Sequence, residues 1–143
     1  MKTLVIYYSF KGSTKKEAER IAQELGDADL CEVKESKKRN LFTSFVPGIF
    51  QAAGRKPTKI KPPELDFNLY NKIIIGAPIW ASHPAPAWNS IVELLPEGKN
   101  FEVELFMVSQ SGDSSASAQG SREIIEKKGC TVVGYRDVKT GES

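Results

Sequence analysis

Two apolar spacings alternate along the chain. Thr3 to Tyr8 (TLVIYY) and Lys72 to Ala77 (KIIIGA) are short unbroken apolar runs rich in β-branched residues, the pattern of strands buried on both faces. Phe101 to Ser109 (FEVELFMVS) alternates and then turns fully apolar, and Leu30 to Val33 (LCEV) and Thr131 to Tyr135 (TVVGY) complete five predicted strands. Between them the spacing lengthens to that of helices. Ala18, Ile21, Ala22 and Leu25 recur at i, i+3, i+4 and i+7 before Gly26, and Trp88, Ile91, Val92 and Leu95 do the same before Pro96. Ile124 and Ile125 anchor a third helix ahead of Gly129, and Asn40 to Gly54 is apolar enough for another, although Pro47 and Gly48 would break or kink it. Strands alternating with helices predict a single α/β domain over residues 1–143, with a parallel sheet and right-handed crossovers. Such sheets bind ligands beyond the carboxyl ends of their strands, so the segments after strands one, three and four carry the functional question.

The composition narrows the field. With 40% hydrophobic and 27% charged residues the chain reads as an ordinary globular one, and no run reaches the roughly 20 apolar residues that span a bilayer. The first ten residues lack a secretory apolar region and cleavage site, so a cytoplasmic protein with no membrane partner is expected. Cys31 and Cys130 show no metal-site spacing and read as reduced packing residues. A net charge of +2 gives no argument for nucleic acid.

The first segment reads Ser9-Phe10-Lys11-Gly12-Ser13-Thr14. Gly12 can take backbone angles closed to other residues, so a tight turn can aim several N–H groups at one centre ahead of a helix N-terminus. That arrangement suits an anion. The hydroxyls of Ser9, Ser13 and Thr14 are donors for phosphate oxygens, and Lys11 adds charge. Thr14-x-x-Glu17 is equally a capping box, which needs no ligand, so the loop alone leaves phosphate and plain cap both open. There is no GK[ST] at Walker spacing and no GxGxxG, which points to a mononucleotide rather than a nucleoside triphosphate or a dinucleotide fold.

The second segment is Gly76 to Trp88 (GAPIWASHPAPAW), a proline-stiffened connection with Trp80 at its tip and no period to bury it. An aromatic there stacks on a flat ring, or else serves as a surface anchor or a cover for the next helix. Trp88, by its helical spacing, is core. His83, the only histidine, has no apparent nucleophile or carboxylate partner and is expected to be incidental. The third segment, Ser109 to Ser121 (SQSGDSSASAQGS), is small and polar; it reads as a loop offering backbone groups to a polar ligand, or as a solvated connection with capping serines.

Taken together these residues resemble the flavodoxin family over nearly the whole chain. S-x-K-G-x-T is similar to the family's loop for the 5′-phosphate of FMN, which implies that role for Ser9, Phe10, Lys11, Gly12, Ser13 and Thr14. "GAPIW" resembles the segment that frames the isoalloxazine ring, implying Pro78, Ile79 and Trp80, and "SQSGD" resembles the loop at the ring's pyrimidine edge, implying Ser109, Gln110, Ser111, Gly112 and Asp113. Asp113 is the candidate carboxylate near N1 if it points inward; otherwise it caps a helix. The implied fold is a flavodoxin-like three-layer α/β/α sandwich with a five-stranded parallel sheet of order 2-1-3-4-5. The implied function is an FMN-binding redox protein, either an electron carrier for a redox partner protein or a small NAD(P)H-dependent quinone-type reductase for a small-molecule electron acceptor.

The chain departs from the family in three ways. Its third loop has no aromatic residue, which leaves one ring face open. It ends soon after strand five, where the family adds a helix beside the first; exposed apolar sheet surface is expected there, covered by a homodimer contact or another segment. Its balance is slightly basic, with Lys37, Lys38 and Arg39 in one run, where flavodoxin electron carriers are acidic. Tyr7, Tyr8 and Ser9 stand where a receiver domain needs paired acidic residues to hold Mg²⁺, which argues against phosphorelay. The competing class is a module of the same fold without flavin, using Trp80 with Phe42, Phe45 and Phe50 as a contact surface.

Overall fold

The computed structural model describes residues 2–36 and 54–140. The segment expected to be helical from Asn40, the phenylalanines Phe42, Phe45 and Phe50, and the Lys37–Arg39 run lie outside the described residues. In chain order the elements are β1 (Lys2–Tyr8), α1 (Ser13–Leu25), β2 (Ala28–Val33), a 3₁₀ turn (Phe67–Leu69), β3 (Tyr70–Trp80), β4 (His83–Pro84), α2 (Pro86–Leu94), β5 (Glu102–Ser109), α3 (Ser115–Lys127) and β6 (Thr131–Lys139). β2-β1-β3-β5-β6 form one parallel sheet, and the short β4 pairs antiparallel with β3. Setting β4 aside, this is the expected order 2-1-3-4-5.

Alternation within the buried strands divides the core in two. Leu4, Ile6, Ile73, Ile75, Leu105 and Met107 face α2 and α3 and meet Trp88, Ile91 and Ile125 there. Val5, Tyr7, Ile74, Phe106 and Val108 face α1, where Ala18 and Ile21 cover them. Each large aliphatic side chain taken fully out of water this way contributes about 1.5–3 kcal/mol. Helices on both faces make the sandwich three-layered.

Three expectations need correction. β3 does not stop at Ala77 but runs to Trp80, turns through Ala81 (φ 50) and Ser82 (φ 69), and returns as β4. The Ala85 amide donates to the Pro78 carbonyl at 2.9 Å and seals this hairpin. The Ser109–Ser121 segment is only half a loop: α3 begins at Ser115, and Ser117 and Ser121 are fully buried. Serine at those points lets the helix lie close to the sheet while its hydroxyls find partners, Tyr135 for Ser117 at 3.0 Å and Arg55 for Ser121 at 3.2 Å. Finally, the sheet surface beside α1 is not left apolar and exposed. Val5, Ile74, Phe106 and Val108 are at most 1% accessible, and the outer positions of that face carry Lys72, Glu104 and Arg136. Glu104 accepts from Arg136 at 2.9 Å and lies 3.8 Å from Lys72. Charged side chains, not apolar ones, therefore stand at the outer positions of that face.

Candidate functional site

Parallel pairing brings the carboxyl ends of β1, β3 and β5 to one rim. At the first, the strand breaks at Ser9 and the chain turns through Gly12 at φ 105, a left-handed conformation that disfavours any side chain. Gly12 is the residue that precedes the first turn of α1, and no side chain caps the helix from that position. The Thr14–Glu17 capping box is thus not formed: Thr14 is inside the first turn and buried, and the Glu17 carboxylate is taken by Arg20. Instead the Ser9 hydroxyl oxygen accepts from the Gly12 amide at 3.1 Å and the Lys15 amide at 3.2 Å. The amides of the turn converge on a single oxygen, the geometry of an anion-binding nest. A hydroxyl that accepts twice still holds a proton to donate outward.

The second segment meets the first directly. The Trp80 ring lies 5.5 Å from Phe10 and 6.1 Å from Tyr8, edge to face with both. Contrary to the expectation of an exposed tip, Trp80 is only 3% accessible, because the strand continues to it and these rings close over it. It is therefore no surface anchor. Pro78 is buried and Ile79 half-buried beside it. His83 Nδ1 sits 3.1 Å from the Ala81 carbonyl, within the hairpin.

The third loop is shaped by its own hydroxyls. Ser109, buried at the end of β5, accepts from the Gly112 amide at 3.1 Å, and Ser111 accepts from the Asp113 amide at 3.1 Å. Asp113 accepts from the Ser115 amide at 3.0 Å, which holds its carboxyl below the usual carboxylate range. Its side chain thus serves the start of α3, the second of the two roles expected for it. Gln110, Ser111 and Asp113 are exposed.

Thr140, just past β6, was not legible as part of this rim. Its amide donates to the Ser109 carbonyl at 3.0 Å and its hydroxyl lies 3.3 Å from that of Ser13, so it ties the first loop to the third. The signal was weak: the alternation of β6 fades after Tyr135, and only the parallel register with β5 reveals that the strand runs on to Lys139.

Sheet order, helices on both faces and a rim of three loops where the strand order reverses define a doubly wound α/β protein of the mononucleotide-binding type. No family model matches the chain, and neither does any curated protein. Among solved structures it is similar to a flavoprotein from Lactobacillus acidophilus NCFM in complex with FMN, at 32% identity over 95% of this chain and 93% of that one, with a TM-score of 0.81. The apo form of the flavoprotein from the same organism matches at 29% identity over 95% and 92% of the two chains, TM-score 0.74. A flavodoxin from the domain Archaea shares the fold at 17% identity over 97% and 85%, TM-score 0.58. The chain belongs to the flavodoxin-like family.

Proposed function

We propose that this protein binds FMN at the rim formed by Ser9–Thr14, Pro78–Trp80 and Ser109–Asp113 and works as a redox protein. The observation that carries this reading is the first turn, where a left-handed Gly12 brings the Gly12 and Lys15 amides onto one hydroxyl oxygen, that of Ser9, at the N-terminus of α1. Similarity to a flavoprotein crystallised with FMN supports the same reading. Ser9, Ser13 and Thr14 hold the phosphate with the turn amides, and Lys11 adds charge. Trp80 lies against the ring once Phe10 swings aside, and the backbone of Ser109–Gly112 meets its polar edge. Bound FMN supplies the redox chemistry, while the protein sets its affinity, exposure and access.

The third loop has no aromatic side chain, its exposed ones being Gln110, Ser111 and Asp113, so it brings no aromatic cover to a bound ring. That openness favours a reductase acting on a small-molecule acceptor over a carrier serving a redox partner protein. Anaerobic mixing of the FMN-loaded protein with NAD(P)H tests this choice: rapid loss of flavin absorbance is expected, and its absence selects the carrier.

FMN titration of the wild type and of Gly12→Val tests the site. Apart from its chain neighbours, no described atom lies within 4 Å of a methyl built on Gly12, so valine meets no clash. It does meet about 1–2 kcal/mol of left-handed backbone strain, which pulls the turn and its amides out of place. The wild type is expected to take up FMN at micromolar concentration and the variant to lose uptake with its circular dichroism unchanged. Retained binding in the variant refutes the phosphate site.

A further inference from the structure

The last strand ends beside the first turn. In the sheet β3 and β5 stand between β6 and β1, so strand pairing alone does not bring their ends together. The third loop and two hydroxyls make the join. Register carries β6 to Lys139 opposite Ser109, the Thr140 amide donates to the Ser109 carbonyl at 3.0 Å, and the Thr140 hydroxyl lies 3.3 Å from that of Ser13 at the start of α1. Gly112 presses on the same strand end: a methyl built on it, at φ 74, would come within 2.8 Å of the Lys139 Cβ. The backbone of Thr140 is thus anchored without its hydroxyl.

That hydroxyl belongs to the phosphate end of the rim. Lys11, Gly12, Ser13, Lys139 and Thr140 line one cleft, and none of Pro78, Ile79 and Trp80 lines it. A hydroxyl hydrogen rotates to suit its acceptor, so the Ser13 and Thr140 hydroxyls, already neighbours, can both turn onto one oxyanion. Bonds to an ionised oxygen are roughly twice as strong as those between neutral groups, which makes the exchange favourable. Lys139 supplies charge at the same place: it is exposed and forms no ion pair with a described carboxylate. Glu17, the acidic residue of this cleft, is already taken by Arg20 at 2.9 and 2.5 Å.

We propose that Thr140 is a further phosphate-binding residue, its hydroxyl donating to the FMN phosphate beside that of Ser13 while Lys139 contributes charge, so that the last strand completes a site begun after the first. This rests on the FMN site proposed above. The test is calorimetric titration of the apoprotein with FMN for the wild type, Thr140→Val and Thr140→Ser, together with the ³¹P resonance of the bound FMN. Valine keeps the amide bond to Ser109 and about the same volume but has no hydroxyl. It is expected to weaken FMN about tenfold and to shift the ³¹P resonance, and serine is expected to restore both. Lys139→Met should weaken FMN by about twofold to threefold at low salt, a difference that shrinks as salt rises.

A valine variant that binds FMN as the wild type does overturns the proposal. So does one that binds weakly with the ³¹P resonance unmoved, or a loss that serine does not rescue, because either result leaves Thr140 a structural part of the rim and nothing more. If the valine variant does not fold, the wild type decides alone: the Thr140 methyl resonance should move on addition of FMN, and a resonance that stays in place refutes the contact. Failure of the wild type to take up FMN would remove the parent reading, whereas uptake that is insensitive to Thr140 removes only this one.

Discussion

Gly76 lies in the middle of β3, where a side chain would normally be welcome. Its place is dictated by Phe106 across the sheet, whose ring occupies the space a methyl on Gly76 would fill. Phe106 is itself fully buried, so it cannot move into solvent to make room. Gly76→Ala is expected to cost about 1–3 kcal/mol through overpacking, measured by denaturant unfolding with an unchanged m-value. The requirement was hidden in the sequence, where "KIIIGA" shows a glycine without showing what leans on it. Gly12, by contrast, was legible, because a glycine set among hydroxyls between a strand and a helix marks a left-handed turn.

At the scale of elements, the sequence disclosed what depends on period and concealed what depends on pairing. Buried strands are continuous apolar runs and α1 and α2 are amphipathic, so their existence and order could be read directly. The β3–β4 hairpin could not, because its turn uses Ala81 and Ser82 at positive φ, whereas such turns usually announce themselves with Asn-Gly. Ala81→Asn with Ser82→Gly is therefore expected to stabilise the protein by about 1–2 kcal/mol, read as a rise in thermal midpoint. The start of α3 was concealed for a related reason: serines that suggest a loop are buried once Tyr135 and Arg55 supply partners.

A second prediction at this scale concerns the link between β2 and β3. The Tyr70 hydroxyl donates to Asp29 at 2.7 Å. This bond lowers the Asp29 carboxyl and, with some burial, pushes Tyr70 up to about 12 from 10.0. A tyrosine whose pKa is raised by folding contributes stability that is complete below pH 10 and is lost as pH climbs toward 12. Tyr7, raised to about 12 chiefly by burial, acts in the same window. Unfolding free energy should therefore decline between those limits, and Tyr70→Phe should flatten the decline. A slope that Tyr70→Phe leaves unchanged would contradict this assignment.

At the scale of the whole molecule, the outer part of the face beside α1 is charged rather than apolar. Glu104, with its side chain 13% exposed, is flanked by Arg136 and Lys72, and their charges stand where an apolar sheet surface was anticipated from family resemblance. Glu104→Leu restores that apolar surface and leaves two cations without their carboxylate. Concentration-dependent self-association, measured by sedimentation velocity, is the expected outcome; a variant that stays at the wild-type mass would show that the cluster has no such role. Side-chain chemistry on β5 and β6 could be read from the sequence, but which face each residue occupies could not, because the register slips between Val103 and Glu104.

That slip has a further effect. Among the described residues β6 is the last strand on its side of the sheet, and the irregularity places Val133 opposite no residue of β5, with Gly134 against Glu104. A border strand that is kinked in this way and studded with Arg136, Asp137 and Lys139 offers a poor template for backbone from a neighbouring molecule. The protein thereby carries its own barrier to fibril-like stacking, located where the parallel ladder would otherwise invite another strand to join.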